Sequence, residues 1–587
     1  LGGLIAADPA AAQAVPGASR EELQRAAPPP VDQGPASARI DSSAAREIDP
    51  CLETLGGSPV MVPLQGIDFV GARDAANPQG RPLPASIMAL LAPLAKGTDS
   101  IALDGSERPI NAVCSLRDAA EAALRRAHYL AKVQVPPQTI ANGRLILTVI
   151  TARIVDLRVR GDVGRNRSAM EPVLQRLRGL DPLNELDAER ILLTARDIPG
   201  ASVTLVLRSA DSGVPGEVVG EIAIDRKPGA VFVNLQNTGS QPIGRFGGLV
   251  RGELYGLTGL ADRTSIGLYA TADFKEQFVL QGSHDFGIGG HGLRFALSAA
   301  YAWTRPSLPD QGTNFDLRSR SLVASISASY PLVRSVGANV LLGGGFELIE
   351  QRTRANTPIN IDKLRVLFAR VDVNMAKRSG SLAPTAAMSG SLELRKGLNL
   401  FGTTPTGLAG RPITPSRFDG VPTAFVVRGR LGGEGRVRFG ASRTRAVTLA
   451  VEGRGQWANN PLFAYEEFAV GNLTLGRGYD PGSASADRAL GYSAEFRIGK
   501  PVPQSVSDSA FEVIGFVDQV KIWNLDQQTS ETNRSLLSAG GGIRATLGNK
   551  ARLELVYAHP FDKALTTDDR VPPDRVLLTL TLRAWPW

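Results

Sequence analysis

Arg477 stands between two glycines in Gly476-Arg477-Gly478-Tyr479, within a long connecting stretch. Glycine on both sides lets the backbone turn sharply and approach another surface closely. A guanidinium carried into a confined space by such a turn needs an acceptor, because an unpaired buried charge is costly. One candidate lies further along, in Phe511-Glu-Val-Ile-Gly-Phe-Val-Asp518. Strand alternation there puts Phe511, Val513 and Val517 on one face and Glu512, Phe516 and Asp518 on the other. Arg477 with Asp518 would make a charge-assisted, bidentate pair. Spacing alone favours the plainer alternative, a solvated loop arginine and an unrelated aspartate.

The remaining reactive residues argue against chemistry. No serine, cysteine or carboxylate pair has the arrangement of a catalytic site, so no enzyme activity and no cofactor are expected. His128, His284, His291 and His559 are scattered, without cysteine or carboxylate at ligand spacing, so no metal is expected. Gly287-Ile-Gly289-Gly-His-Gly292 fits a dinucleotide-binding spacing but falls at a predicted hairpin turn with no helix after it. Gly343-Gly344-Gly345 and Gly540-Gly541-Gly542 precede no Lys-Ser/Thr and read as small residues where a wall bends or a loop packs closely. Cys51 and Cys114 are the two cysteines. They fit one disulfide in an oxidising compartment, or two separate thiols.

The elements that must position Arg477 and Asp518 are strands. Beyond Pro228 the helical period disappears, and segments of alternating hydrophobicity follow one another. In 447–457, Val447, Leu449, Val451 and Trp457 oppose Thr448, Glu452, Arg454 and Gln456. In 293–303, Leu293, Phe295, Leu297, Ala299, Tyr301 and Trp303 share one face. One apolar and one polar or small face suits a lipid-facing wall around a wet lumen. The segments number sixteen, near 230–237, 245–255, 263–273, 276–286, 292–303, 315–329, 338–350, 362–375, 384–396, 423–439, 445–457, 489–499, 510–520, 534–547, 550–558 and 574–584. Connections after odd segments include long ones and those after even segments are mostly short, as in outer-membrane barrels. Arg477 belongs to the connection after the eleventh segment and Asp518 to the thirteenth. The predicted fold is therefore a membrane all-β protein, a 16-stranded antiparallel barrel over 229–587.

The earlier part reads differently. Residues 1–14 look like the remnant of a signal peptide, with Leu1-Gly-Gly-Leu-Ile-Ala-Ala7 and the small-x-small Ala12-Gln13-Ala14. A short helix is predicted over 18–27 with Ser19 as N-cap, then a Pro- and Ser-rich linker over 28–50. Strands are predicted at 62–71, 143–151, 153–160, 201–208 and 217–226, and helices at 116–127, 168–178 and 187–196. The order strand, helix, helix, strand, strand occurs twice, giving two α+β units over 51–152 and 153–228.

Composition agrees with a barrel and limits the alternatives. Hydrophobic residues make up 43% and charged residues 21%, and no run is long and apolar enough for a membrane-spanning helix. Glycine, at 63 residues, suits a strand-rich wall with many turns, whereas aromatics at 6% are few for full interfacial girdles. The net charge is +8, but the basic residues are spread along the chain, so no nucleic-acid partner is expected.

Several of these residues carry a resemblance. Gly476-Arg477-Gly478-Tyr479 resembles the V/L/G-R-G-Y/F motif in the sixth surface loop of the outer-membrane POTRA–barrel superfamily, and Phe516-Val517-Asp518 resembles the F-x-D motif of its thirteenth strand. Residues 466–498, with Glu467-Phe468, Asp487-Arg488 and Glu495-Phe496-Arg497, are similar to the transporters of two-partner secretion, the TpsB family of filamentous-haemagglutinin and haemolysin transporters. Tyr129 through Gln138, containing Pro136-Pro137, resembles the end of their first POTRA domain, and Asp197-Ile-Pro-Gly200 a turn of their second. The departures are His128 where the family has glycine before Tyr129, Asp518-Gln519-Val520 where it has Asp-x-Gly, and extra Pro- and Gly-rich sequence at 73–84 and 97–110.

The resemblance implies an outer-membrane pore with two periplasmic POTRA domains. These would bind the N-terminal secretion domain of a partner exoprotein, which crosses unfolded and without ATP. The 18–27 helix would plug the pore. Arg477, Gly478 and Tyr479 would lock the inward-folded loop against Phe516 and Asp518. Outer-membrane lipid and, during biogenesis, the barrel-assembly machinery would be the other partners of a monomer. An assembly factor of the same superfamily and a passive porin-like channel are the rival readings.

Overall fold

A computed structural model describes residues 18–24, 40–41, 60–74, 77–98, 100–307, 316–377, 383–407, 413–526 and 531–585. The signal-peptide remnant, Cys51 and most of the predicted linker lie outside these. The chain divides into two compact units, one over 37–226 and one holding the strands from Gly229 onward with the short N-terminal helix.

In the 37–226 unit, Asn111–Arg126 is a helix whose buried face runs Ala112, Val113, Leu116, Ala120 and Leu124. That apolar stripe extends upstream of the predicted start at 116. It packs with Ile67, Leu145, Leu147 and Val149 from the sheet Gly66–Gly71, Arg144–Thr151 and Ala131–Gln134. The single strand expected over 62–71 is broken at Leu64-Gln65 into Met61–Pro63 and Gly66–Gly71, which join different sheets. Part of the extra 97–110 sequence is accounted for here. Gly97–Thr98 pairs with Ile101–Ala102, and Glu107–Pro109 pairs with Met61–Pro63. The helices Arg167–Arg178 and Glu185–Arg196 lie between Arg153–Arg160 and the hairpin Ala201–Ser209, Glu217–Arg226. Ile40–Asp41, expected within a linker, instead pairs parallel to Ala201–Ser209.

The other unit is a closed barrel of sixteen antiparallel strands. They are Gly229–Gln236, Gly247–Tyr255, Arg263–Thr271, Gln277–Ile288, Leu293–Thr304, Arg318–Arg334, Ala338–Arg354, Pro358–Lys377, Ala386–Gly397, Phe425–Phe439, Arg445–Ala458, Arg488–Gly499, Ser509–Trp523, Asn533–Leu547, Ala551–Pro560 and Arg575–Trp585. First and last strands pair, with Val233 opposite Leu582 and Asn234 opposite Thr581. Closure removes every unpaired strand edge, which a lipid environment requires. No described helix is long and apolar enough to cross a membrane.

Alternation sorts the side chains. Along the thirteenth strand Phe511, Val513 and Val517 are exposed to the outside, while Glu512, Ile514, Phe516 and Asp518 are buried on the inside. The few aromatics are grouped. Trp303 on the fifth strand touches Phe278 of the fourth and Tyr301 of its own strand, with ring centroids 5.5 Å and 4.4 Å apart. Long connections such as 398–424 and 459–487 leave one end of the barrel, and short ones such as 335–337 and 440–444 leave the other. Gly287–Gly292 spans the end of the fourth strand and its turn into the fifth, with no helix following.

Candidate functional site: an inward-folded loop

The loop after the eleventh strand builds its own scaffold. Phe468–Val470 pairs with Ala484–Ala486, making a small hairpin that carries Gly476-Arg477-Gly478-Tyr479 near its tip. Val470, Leu475, Tyr479 and Ala484 pack with Val520 and Leu536, so the hairpin is fixed to the inner wall by apolar burial.

Arg477 lies on that wall. Its Nε and Nη2 donate to the two Asp518 carboxylate oxygens at 2.9 and 2.8 Å, and its backbone N–H donates to Asp518 Oδ2 at 2.9 Å. Nη1 donates to Glu495 at 2.7 Å and Nη2 to Ser493 at 2.8 Å. The guanidinium sits 3.5 Å from the centre of the Phe516 ring, within cation–π range. These partners are cross-strand neighbours: Ser493 faces Asp518 and Glu495 faces Phe516 in the register of the twelfth and thirteenth strands. Two adjacent strands thus present their acceptors together to one planar donor.

Gly478 is held by space. A Cβ there would meet Pro560 N at 2.8 Å and Ser538 Cβ at 2.9 Å. Tyr479 is fully buried. Its hydroxyl donates to the Leu537 carbonyl at 2.9 Å and accepts from Asp562 N–H at 3.1 Å. Asp480 ties the loop across the barrel seam, to Arg245 and Arg575, each at 3.0 Å. The Gln519-Val520 departure leaves this seat intact. Gln519 accepts from Tyr492 Oη away from the loop, and Val520 joins the apolar cluster beneath Tyr479. Cys114 lies on the helix Asn111–Arg126, and its candidate partner Cys51 is outside the described residues.

Two further arginine centres hold the same loop, and the sequence reading did not assign them roles. Arg417, from the loop after the ninth strand, donates to Asp487 at 2.6 and 3.2 Å, pairs with Glu467 at 2.7 Å, and also contacts Asp526. Burial pushes the Glu467 carboxyl up to about 7, against the opposing pull of Arg417. Deeper in the lumen, Arg395 bridges Glu466 at 2.7 Å and Glu347 at 2.5 Å. Arg20 of the N-terminal helix reaches the same Glu347 at 3.0 Å. The helix itself spans Arg20–Leu23, capped by a reciprocal Ser19–Glu22 capping box. Glu467 and Asp487 belong to the stretch that carried the family resemblance. The arginine partners of Glu466, Glu467 and Asp487 come from distant strands and loops.

The model of the haemolysin secretion/activation protein family ShlB/FhaC/HecB matches residues 223–545, more than half of the chain. The chain belongs to this family. It is an outer-membrane transporter and not an enzyme. The heme/hemopexin transporter protein HuxB of Haemophilus influenzae is 23% identical over 494 residues, covering 79% of this chain and 80% of its own length. The outer membrane transporter CdiB-2 of Burkholderia pseudomallei is 22% identical over 447 residues, covering 73% and 70%. Among solved structures, CdiB from Escherichia coli superposes with a TM-score of 0.69 at 15% identity, over 96% of this transporter and 94% of that chain. CdiB from Acinetobacter baumannii gives 0.62 at 16%, over 94% and 95%. At these identities the structural likeness concerns the fold.

Proposed function

We propose that this transporter exports one unfolded partner protein of haemolysin or adhesin type, without ATP. The observation that carries the proposal is the seating of Arg477. A loop bound inside the lumen by five hydrogen bonds from one residue narrows a pore in a definite, reversible way. In this reading Arg477, Gly478 and Tyr479 are the lock, Phe516 and Asp518 its seat, and Arg20–Leu23 a plug.

Residues 51–152 and 153–228 are the two periplasmic POTRA domains, which capture the partner's N-terminal secretion domain. Strand addition suits this task, since an open edge binds extended backbone with little sequence demand. Among the described residues Arg153–Arg160 pairs on one side only, and such an edge supports the reading. Cys51 and Cys114 would form a disulfide, and the transporter works as a monomer inserted by the barrel-assembly machinery.

The test first asks whether the neighbouring reading frame encodes a large exoprotein, and then follows that exoprotein's secretion in cells making wild-type or Asp518→Lys transporter. Wild type should release the exoprotein into the medium, and the variant should lose release while its barrel keeps heat-modifiable mobility. Insertion of other outer-membrane proteins by the wild type, with no exoprotein released, would replace this reading by the assembly-factor one.

A further inference from the structure

The lumen beside the plug is a cavity of about 730 Å³. The barrel wall around the plug, which includes residues outside the lining of that cavity, holds the segment in two ways. One is the Arg20–Glu347 ion pair, which depends on a charged side chain. The other depends on no side chain of the plug at all. Gln281 Nε2, on the fourth strand, donates to the backbone carbonyl of Leu23 at 2.7 Å. Gln351 Nε2, on the seventh, donates to the backbone carbonyl of Ala18 at 3.0 Å and to Ser321 Oγ at 3.1 Å. Ala18 precedes the helix and Leu23 ends it, so neither carbonyl is used within the helix. The wall amides therefore read backbone that secondary structure leaves open. An unfolded chain presents such carbonyls at every residue.

A third amide lies in the same row. Gln277 shares the inward phase of the fourth strand with Gln281 and with Val279, which packs against Ala18 and Leu23. It is 2% exposed, and its Nε2 has no hydrogen-bond partner. Thr304, opposite it on the fifth strand, has a buried hydroxyl that is likewise unpartnered. Buried polar groups left open in this way mark a place where another polar group belongs. Four residues along a strand span roughly 13 Å, and same-side carbonyls of an extended chain recur every roughly 6.7 Å. Gln277 and Gln281 thus match every second such carbonyl of a polypeptide running alongside the strand.

We propose that Gln277, Gln281 and Gln351 form a backbone-reading track for the translocating polypeptide, and that the plug occupies part of this track at rest. The proposal rests on the export reading and names the surface that reading requires. Each amide exchanges one carbonyl for the next as the chain advances. Single, neutral hydrogen bonds suit transit, because a conducted species must be held weakly enough to leave. They also impose no sequence on the cargo.

The test uses the purified full-length transporter in planar lipid bilayers, with Arg20→Glu introduced to unseat the plug by placing a third carboxylate beside Glu347 and Glu466. The probes are a neutral, unfolded Gly-Ser-Asn peptide and a polysarcosine of equal length, which keeps every carbonyl but has no N–H. Both should block the open channel, and adding Gln281→Leu with Gln351→Leu should shorten the blocks at least threefold. Block lifetimes that do not change with these substitutions would overturn the track. If the double substitution prevents barrel folding, Gln277→Leu, which touches neither plug carbonyl, decides in the same way. A transporter that holds the peptide through these amides yet secretes no exoprotein would refute the export reading alone.

Discussion

Asp518 accepts three of the five hydrogen bonds that seat Arg477, and is itself 2% exposed at the side chain. Asp518→Ala would leave the guanidinium in a confined site with Glu495 and Ser493 as its remaining acceptors. Breaking a buried pair by removing one partner costs about 3–5 kcal/mol. The expected result is a loop cut by added protease at 471–482 in a barrel that still resists it. Arg477→Lys should behave almost as badly, because one ammonium cannot reproduce a planar fork that meets two strands at once. A lysine variant as protected as wild type would show that charge alone holds the loop. Gly478→Ala tests space rather than charge. Its added Cβ would meet backbone at 2.8 Å, so the hairpin must lift, with the same gain in cleavage. The residue pair was legible because motif and strand phase agreed on it. The value of Ser493 and Glu495 was not, since it comes from a cross-strand register that no local pattern reveals.

At the scale of elements, the N-terminal helix is held by a capping box, one shared carboxylate and two wall amides. Four residues are too few for a helix to persist on propensity alone, so its walls must stabilise it. Ser19→Ala should remove about 1 kcal/mol of capping, and Arg20→Ala should add the loss of the Glu347 contact. Single-channel recordings are expected to show more frequent open events for the first and a mostly open pore for the second. Unchanged closure in both would refute the plug. Ser19, as a candidate N-cap, announced this helix in the sequence. Its anchor did not announce itself, because Glu347 lies 327 residues away and one inward glutamate among many looks like ordinary lumen lining. Arg395 and Arg417 were hidden in the same way, 71 residues from Glu466 and 70 from Asp487. The two-residue strand at Ile40–Asp41 was hidden for a different reason: its pairing depends on a tertiary neighbour and not on its own composition.

For the whole molecule, period-two alternation was the decisive signal, because a one-residue slip in any strand would turn its apolar face into the lumen. That constraint made all sixteen strands readable to within a few residues. It also makes a two-sided prediction on the eleventh strand, Arg445–Ala458. Val451 is near its middle and points outward, whereas Gln456 points inward and donates to the Glu466 carbonyl at 2.9 Å. Val451→Arg would place a guanidinium against hydrocarbon near the bilayer midplane, costing about 2–4 kcal/mol. Gln456→Ala would leave the outer face unchanged and remove contacts to the inward-folded loop. Guanidinium unfolding in liposomes should therefore show a clear loss of barrel stability for Val451→Arg and little for Gln456→Ala. Protease cleavage of the loop should show the reverse order. If both substitutions destabilised the barrel equally, wall and loop would form one cooperative unit, and a loop that cannot move without unfolding the wall could not gate a pore.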